Sequence, residues 1–343
     1  MEDIPLIKNF REPLIKIDMK FFRNLMSSDV KWAICAIAME IGLFNLLKDE
    51  GVSFQEIANK LGTDEIVTRI VLDLLAGFGM ISKRGELYYP SSFSKMKMLY
   101  GKYYGEEAVR YSPFWKRLIR ILKGETLDPL RPVHEWSSVE EQRKSAIVAL
   151  CGEFQKTLEY LEKEKVFNSA KTLLDIGGGH GFYSIGFCSL YPELRCTVFD
   201  LPNVIKLTER NIRKYNMEDK IELIPGDALK DPIPSGYDIV FMSDVTFKFN
   251  EAKEVVKKIY QSLNEGGILV IKDIVPCKDW SEAPYALTHE IVQLIIAGSS
   301  KAYGGLPPTM CEYSGLLKQL GFYQTKILGE ITPGWTSIML GYK

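Results

Sequence analysis

From residue 172 onward, short apolar runs alternate with helical patterns, and this alternation constrains the fold more than any other feature of the chain. TLLDIG, RCTVFDL, IELIPGD, YDIVFMSD and GGILVIKDIV read as strands, while FYSIGFCSLY, NVIKLTERNIRKY and AKEVVKKIYQSL read as helices between them. Strands that are apolar nearly throughout must be covered on both faces, which a parallel sheet wrapped by helices achieves. Tyr313–Leu320 adds a last helix, and Gln324–Leu328 with Thr336–Leu340 a closing hairpin. The expectation is a doubly wound, mostly parallel, Rossmann-like α/β sheet, with any ligand at the carboxyl ends of its strands.

The first hundred residues have another texture. Residues 30–48 form an apolar helix suited to burial between elements or between subunits. Ser53 and Glu56 open a second helix that Leu61-Gly62 closes. Asp64–Phe78 follows as a helix, and Met80–Tyr89 as a strand, a Lys-Arg-Gly turn and a strand. Helix, helix and hairpin make a winged-helix-like arrangement. Its third helix carries Arg69 against Asp64, Glu65 and Asp73, a poor surface for phosphates, so packing and homodimerisation are expected rather than nucleic-acid binding. With 43 Lys and Arg against 44 Asp and Glu, a polyanion is excluded as the main partner.

The 343 residues, 46% of them hydrophobic, suffice for more than one core. Three segments are expected: a winged-helix-like dimerisation domain over 1–100, a helical connector over 101–168 that lines an acceptor pocket, and the sheet domain over 169–343. Residues 92–168 are predicted to be helical throughout, anchored by Trp115, Trp136 and Phe154. The six cysteines show neither ligand spacing nor a disulfide framework, so no metal is expected. MEDIPLIKNF lacks a signal pattern, and Trp32–Leu47 is too short to span a bilayer and carries Glu40. A cytoplasmic protein without a membrane partner is expected.

Leu173-Leu-Asp-Ile-Gly-Gly-Gly-His-Gly181 is the most informative stretch, placed where an apolar strand ends and a helix begins. Glycines there allow close backbone approach to a ligand. The dinucleotide fingerprint needs glycines at positions one, three and six, and counting from Gly177 the sixth is Phe182. Asp175 just ahead disfavours a pyrophosphate and suits an ammonium and a sulfonium. Asp200, at the tip of the next strand, is placed to accept ribose hydroxyl hydrogens. Asp227, one strand further, falls where an adenine amino group would lie. Three such features at successive strand ends indicate a nucleoside-type cofactor.

LLDIGGGHG (173–181), VFDLPNV (198–204), PGDALKD (225–231), LNEGGILVIKD (263–273) and GLLKQLGF (315–322) resemble the S-adenosylmethionine-dependent small-molecule O-methyltransferases of the plant caffeic-acid and hydroxyindole type. The resemblance runs from about residue 20 to the end. It implies a dimerising winged-helix-like domain, a Rossmann-like sheet that binds S-adenosylmethionine and releases S-adenosylhomocysteine, and a small-molecule acceptor. It also implies Gly177, Gly179, Asp200, Leu201 and Asp227 as cofactor contacts, and Asp175, Ala228 and Ser243 complete the candidate set.

The family's general base is a histidine just after the fourth strand, and here that stretch, Phe241 to Phe249, holds none; the position falls on Val245, within a residue. Of the three histidines, His134 lies in a proline-rich connection, His180 sits within the glycine turn as a cofactor neighbour, and His289 opens a predicted helix. The related bacteriochlorophyllide C-methyltransferase lacks the same base and is similar at the Leu-Thr-His segment ending at His289. His289, Tyr285 and Asp244 are therefore the catalytic candidates, Tyr303 is a further polar one, and both O- and C-methylation are open. Ile291–Thr309 is expected to form a lid over an apolar acceptor. The alternatives are a nicotinamide oxidoreductase, a cofactor-sensing regulator and an inactive paralogue.

Overall fold

A computed structural model describes residue 4 and residues 6–15, 28–95, 113–130, 138–245 and 248–343, apart from the side chain at 249. The chain forms two compact units that do not follow its linear order. One gathers Met19–Val133 with Asp279–Leu306, and the other Met1–Asp18, His134–Lys278 and Pro307–Lys343.

The first unit begins with α1 (Ser28–Glu40). The sequence extends this helix to residue 48, but Gly42, at φ 76°, takes a left-handed turn that ends it. After β1 (Val52–Ser53), α2 (Phe54–Leu61) is capped by Ser53 Oγ, which accepts from the Glu56 N–H, and closed by Gly62 at φ 63°. In α3 (Glu65–Gly77), every residue from Ile70 to Leu75 is buried, including Asp73. β2 (Ile81–Arg84) and β3 (Leu87–Pro90) form the hairpin, with β1 on the outer edge of β3. Asp73 Oδ1 is met from this hairpin: Lys83 Nζ lies 2.8 Å away and the Tyr88 hydroxyl donates at 2.7 Å. Arg69, the one basic residue of α3, lies within 3.9 Å of Asp73 and of Glu86.

α4 (Pro113–Leu122) buries Trp115 as expected, whereas Trp136 lies outside the described residues. The connector is not helical throughout. Gly124 turns at φ 80°, and residues 127 and 130 then hydrogen-bond the carbonyls of Gly298 and Ile296 instead of continuing a helix.

In the second unit, Ile4 and Phe10 of the N-terminal segment enter the core. Lys214 Nζ donates to the Ile4 carbonyl, and the Leu14 N–H to that of Leu150. α5 (Val139–Val148) widens over Ala149–Glu153, where Gly152 reaches φ 134°, and α6 (Phe154–Lys163) continues it. Then come β4 (Thr172–Ile176), α7 (Phe182–Leu190), β5 (Arg195–Asp200), α8 (Pro202–Lys214), β6 (Ile221–Pro225), β7 (Tyr237–Ser243), α9 (Phe249–Ser262) and β8 (Leu263–Asp273). The chain leaves for the first unit as α10 (Pro284–Ala297), then returns as α11 (Met310–Gln319), β9 (Gln324–Thr332) and β10 (Thr336–Tyr342). The seven strands lie in the order β6-β5-β4-β7-β8-β10-β9, parallel except at β10. From β4 the chain builds outward to β6 and restarts on the other side at β7, so the switch point lies between β4 and β7.

Aromatic packing fills one face of this sheet: Phe187 lies 5.4 Å from both Phe154 and Phe241, and Phe167 stacks on Tyr191 at 4.3 Å. Cys188 and Cys196 are buried with their sulfurs 3.2 Å apart, and all six cysteines are free thiols. The proposed lid is mostly something else. Ile291, Leu294 and Ile295 are fully buried core residues of α10, and Gly298, at φ 82°, ends that helix.

Candidate active site

The strand-to-helix turn after β4 carries three left-handed glycines, with φ of 67° at Gly177, 52° at Gly179 and 76° at Gly181. A side chain would strain each, since only glycine visits this region freely. At Gly177 a Cβ would stand 2.9 Å from Val245 Cγ2, and at Gly179 2.5 Å from Gln142 Oε1. The turn is fastened from both sides. Gly177 N–H donates to the Phe199 carbonyl, extending the β4–β5 pairing. From α8, Thr208 Oγ1 donates to the Gly179 carbonyl at 2.5 Å and Asn211 Nδ2 to the His180 carbonyl at 2.7 Å, both from buried positions. Neither was expected; their helix pattern reads as ordinary core, and only the fold carries them under the turn.

Asp200 ends β5 with both oxygens engaged by backbone: Oδ2 accepts from Gly179 N–H at 2.8 Å and Oδ1 from Leu201 N–H at 2.7 Å. Burial raises its pKa, and these two N–H groups pull it back. Each oxygen keeps a second lone-pair direction, so the carboxylate is aimed and can still accept two hydroxyl hydrogens. Asp227 follows β6. Its Oδ1 accepts from Leu229 N–H and its Oδ2 pairs with Lys230, which holds its pKa below the usual range. The neighbouring Ala228 carbonyl accepts from Lys258 Nζ.

Asp175 has a different setting from the one expected. It is 1% exposed, lies under Gly178, and accepts from Ser184 Oγ at 2.7 Å. Burial pushes its carboxyl up to about 7, so near neutrality it is only partly ionised. Its raised pKa fixes the sign of a pH effect. Between pH 4 and 7 the folded state keeps a proton that the unfolded carboxyl has released, so stability falls across that window and levels off above it. The change is roughly 4 kcal/mol at about 1.4 kcal/mol per unit. Urea titrations of Asp175→Asn should lack this slope and show the variant more stable than wild type at pH 7; equal slopes would remove the assignment. His180 is likewise turned inward. Its Nδ1 accepts from Phe182 N–H at the start of α7, and burial lowers its pKa to about 3, so the ring is neutral.

At the ends of β7 and β8 lies a buried charge cluster that the sequence did not announce. Lys272, with no exposed surface, stands 3.0 Å from Glu153 Oε2 and 2.5 Å from Asp244 Oδ2. Thr332 and Thr336 donate to Glu153 Oε1. Burial opposes the Lys272 charge, but the two carboxylates hold its pKa well above the usual value. Asp244 is non-glycine at φ 54°, and its backbone N–H bonds the Lys272 carbonyl. Ser243 Oγ donates to its Oδ2 at 3.2 Å. Asp244, nominated as catalytic, is thus the partner of a lysine. The following Val245 packs on the glycine turn, while residues 246 and 247 lie outside the described set.

Tyr285 and His289 belong to the first unit, one turn apart on α10. His289 lies inside the helix rather than opening it. The Tyr285 ring packs edge-on against Phe78, with Lys31 Nζ 5.5 Å from its centre. His289 contacts Glu290 and Gln293. His134 lies outside the described residues. Among the described residues no group of His, Cys, Asp and Glu is placed to hold a metal ion, and no helix is long and apolar enough to cross a membrane.

Comparison with known proteins bears on this arrangement. The O-methyltransferase domain matches residues 142–323, and the O-methyltransferase dimerisation domain residues 24–98. An uncharacterized protein of Methanocaldococcus jannaschii is 33% identical over 270 residues, covering 76% of this chain and 71% of its own. The 3-hydroxy-5-methyl-1-naphthoate 3-O-methyltransferase of Streptomyces sahachiroi is 24% identical over 319 residues, covering 89% and 90%. Among solved structures, an O-methyltransferase family 2 protein of Planctomyces limnophilus shares the fold, with a TM-score of 0.74 at 20% identity over 99% of this chain and all of that one. Relatives include methyltransferases acting at oxygen and at carbon. The chain belongs to the O-methyltransferase family, whose members are S-adenosylmethionine-dependent enzymes.

Proposed function

We propose that the protein transfers a methyl group from S-adenosylmethionine to oxygen or carbon of a small aromatic or cyclic acceptor, as a homodimer joined through its N-terminal helices. The observation that carries this reading is the series of strand ends: a left-handed glycine turn after β4, then Asp200 and Asp227 at the tips of β5 and β6. In this reading Gly177 and Gly179 admit the cofactor to the backbone, Asp200 and Leu201 hold its ribose, and Asp227, Ala228 and Ser243 border its base. Asp175 supports the turn from below. The cofactor supplies an electrophilic methyl group; the chain's part is to orient it, exclude water and manage the acceptor's proton. His289 is the group assigned to that proton. The dimerisation domain supports the homodimer, and relatives that methylate hydroxynaphthoate and tyrosine carbon support the acceptor class.

The test is incubation with methyl-labelled S-adenosylmethionine and a small-molecule extract, followed by mass spectrometry of labelled products. The expected result is a labelled cyclic product in the wild-type sample and at least tenfold less with His289→Ala. Binding of the cofactor without any labelled product would overturn the reading. It would favour a cofactor-binding regulator or inactive paralogue, the alternative to which Val245 at the family's base position already points.

A further inference from the structure

The sheet changes direction between β4 and β7, and ligands of such sheets lie beyond the carboxyl ends of the strands at that switch point. Two segments of the sheet unit border it: the glycine turn after β4, and Asp244-Val245 after β7. They touch, since a Cβ at Gly177 would stand 2.9 Å from Val245 Cγ2.

Asp244 thus brings a carboxylate next to the turn, and that carboxylate is only half met. Its Oδ2 accepts from Lys272 Nζ at 2.5 Å and from Ser243 Oγ at 3.2 Å. The side chain is 25% exposed, yet Oδ1 is buried and meets no hydrogen-bond donor among the described residues. A buried acceptor left unmet is costly and calls for a reason. Lys272 does not balance the group, because it also serves Glu153 at 3.0 Å. Within this cluster two carboxylates and one ammonium leave one negative charge over. Glu153 has its other oxygen met by Thr332 and Thr336, so the unmet oxygen of the three partners is Asp244 Oδ1. Burial and Glu153 raise the Asp244 pKa against the pull of Lys272, which is the mark of an undercompensated carboxylate.

We propose that Asp244 is the counter-charge for the sulfonium of S-adenosylmethionine, and that it favours the positively charged methyl donor over the product, whose sulfur is neutral. This rests on the methyl-transfer reading above. Oδ1 is shielded from water, so its field toward the turn is weakly screened. As the methyl group passes to the acceptor, the carbon–sulfur bonding pair stays on sulfur, which becomes neutral, and the attraction ends. Spent cofactor is then held less firmly than fresh, which favours exchange of one for the other. Lys272 is a positioning residue here: it fixes the carboxylate through Oδ2 and leaves Oδ1 unclaimed.

Calorimetry on Asp244→Asn in the full chain, with S-adenosylmethionine and S-adenosylhomocysteine as separate ligands, tests this. Asparagine keeps the shape of the side chain and tolerates the left-handed φ of 54°, and Lys272 keeps Glu153 as its partner, so no charge is stranded. The expected result is a Kd for S-adenosylmethionine raised about tenfold, with that for S-adenosylhomocysteine within about twofold of wild type. The two ligands share the methionyl ammonium, ribose and adenine, so the difference between them isolates the sulfonium. Equal weakening of both, from a distorted turn or a contact with the ammonium, would overturn the assignment, and so would unchanged binding of both. If the wild-type protein binds neither ligand, the methyl-transfer reading itself fails and this assignment falls with it.

Discussion

Lys272→Met is expected to destabilise the sheet unit by about 3–5 kcal/mol at neutral pH, the cost of removing one partner from a buried ion pair. Lys272 is fully buried and is the cation between Glu153, 4% exposed, and Asp244, whose side chain is 25% exposed. Without it, two carboxylates sit close together in a poorly solvated place, each opposing the other's charge. The partial exposure of Asp244 puts the expected cost toward the lower end of the range. The variant should regain stability as pH falls, because protonation neutralises the stranded carboxylates. Adding Glu153→Gln and Asp244→Asn should restore most of the loss at pH 7, since the penalty is an uncompensated charge and not a lost shape. Urea midpoints of the single and triple variants check this; a single variant within 1 kcal/mol of wild type would show that the cluster is not held as charges.

The second large effect is on cofactor binding. Asp200→Ala should raise the Kd for S-adenosylmethionine about a hundredfold in calorimetry, while Asp227→Ala raises it several-fold. Hydrogen bonds to a charged group are worth about 1.5–3 kcal/mol each, and Asp200 would offer two to the ribose. It is also the acceptor for the N–H groups of Gly179 and Leu201, so its removal loosens the glycine turn after β4. Asp227 is more open and already neutralised by Lys230, so less rests on it. Equal, small effects of the two variants would remove the ribose assignment from Asp200.

The sequence by itself determined the parts whose physics is local. Strand and helix periodicity from Leu173 to Tyr342 placed the elements of the sheet, because side-chain alternation and burial on both faces are written in neighbouring residues. Ser53, Gly62 and the glycine turn were legible for the same reason, since a cap or a left-handed angle belongs to one or two residues. What spans distance was decided only by the tertiary structure. The helix from Ser28 stops at Glu40 because Gly42 turns, a choice an apolar pattern does not encode. Asp279–Leu306 groups with Met19–Val133, as α10 buries Ile291, Leu294 and Ile295 there, while Ile4 and Phe10 pack into the core of the sheet unit instead. Asp175, Asp200 and Asp244 are equal as letters. Burial raises the pKa of the first toward neutrality, two backbone N–H groups aim the second, and a lysine 28 positions away claims the third. Lys272 and Glu290 read as charges that should face water, and they are buried because partners distant in sequence satisfy them, which only the folded chain brings together.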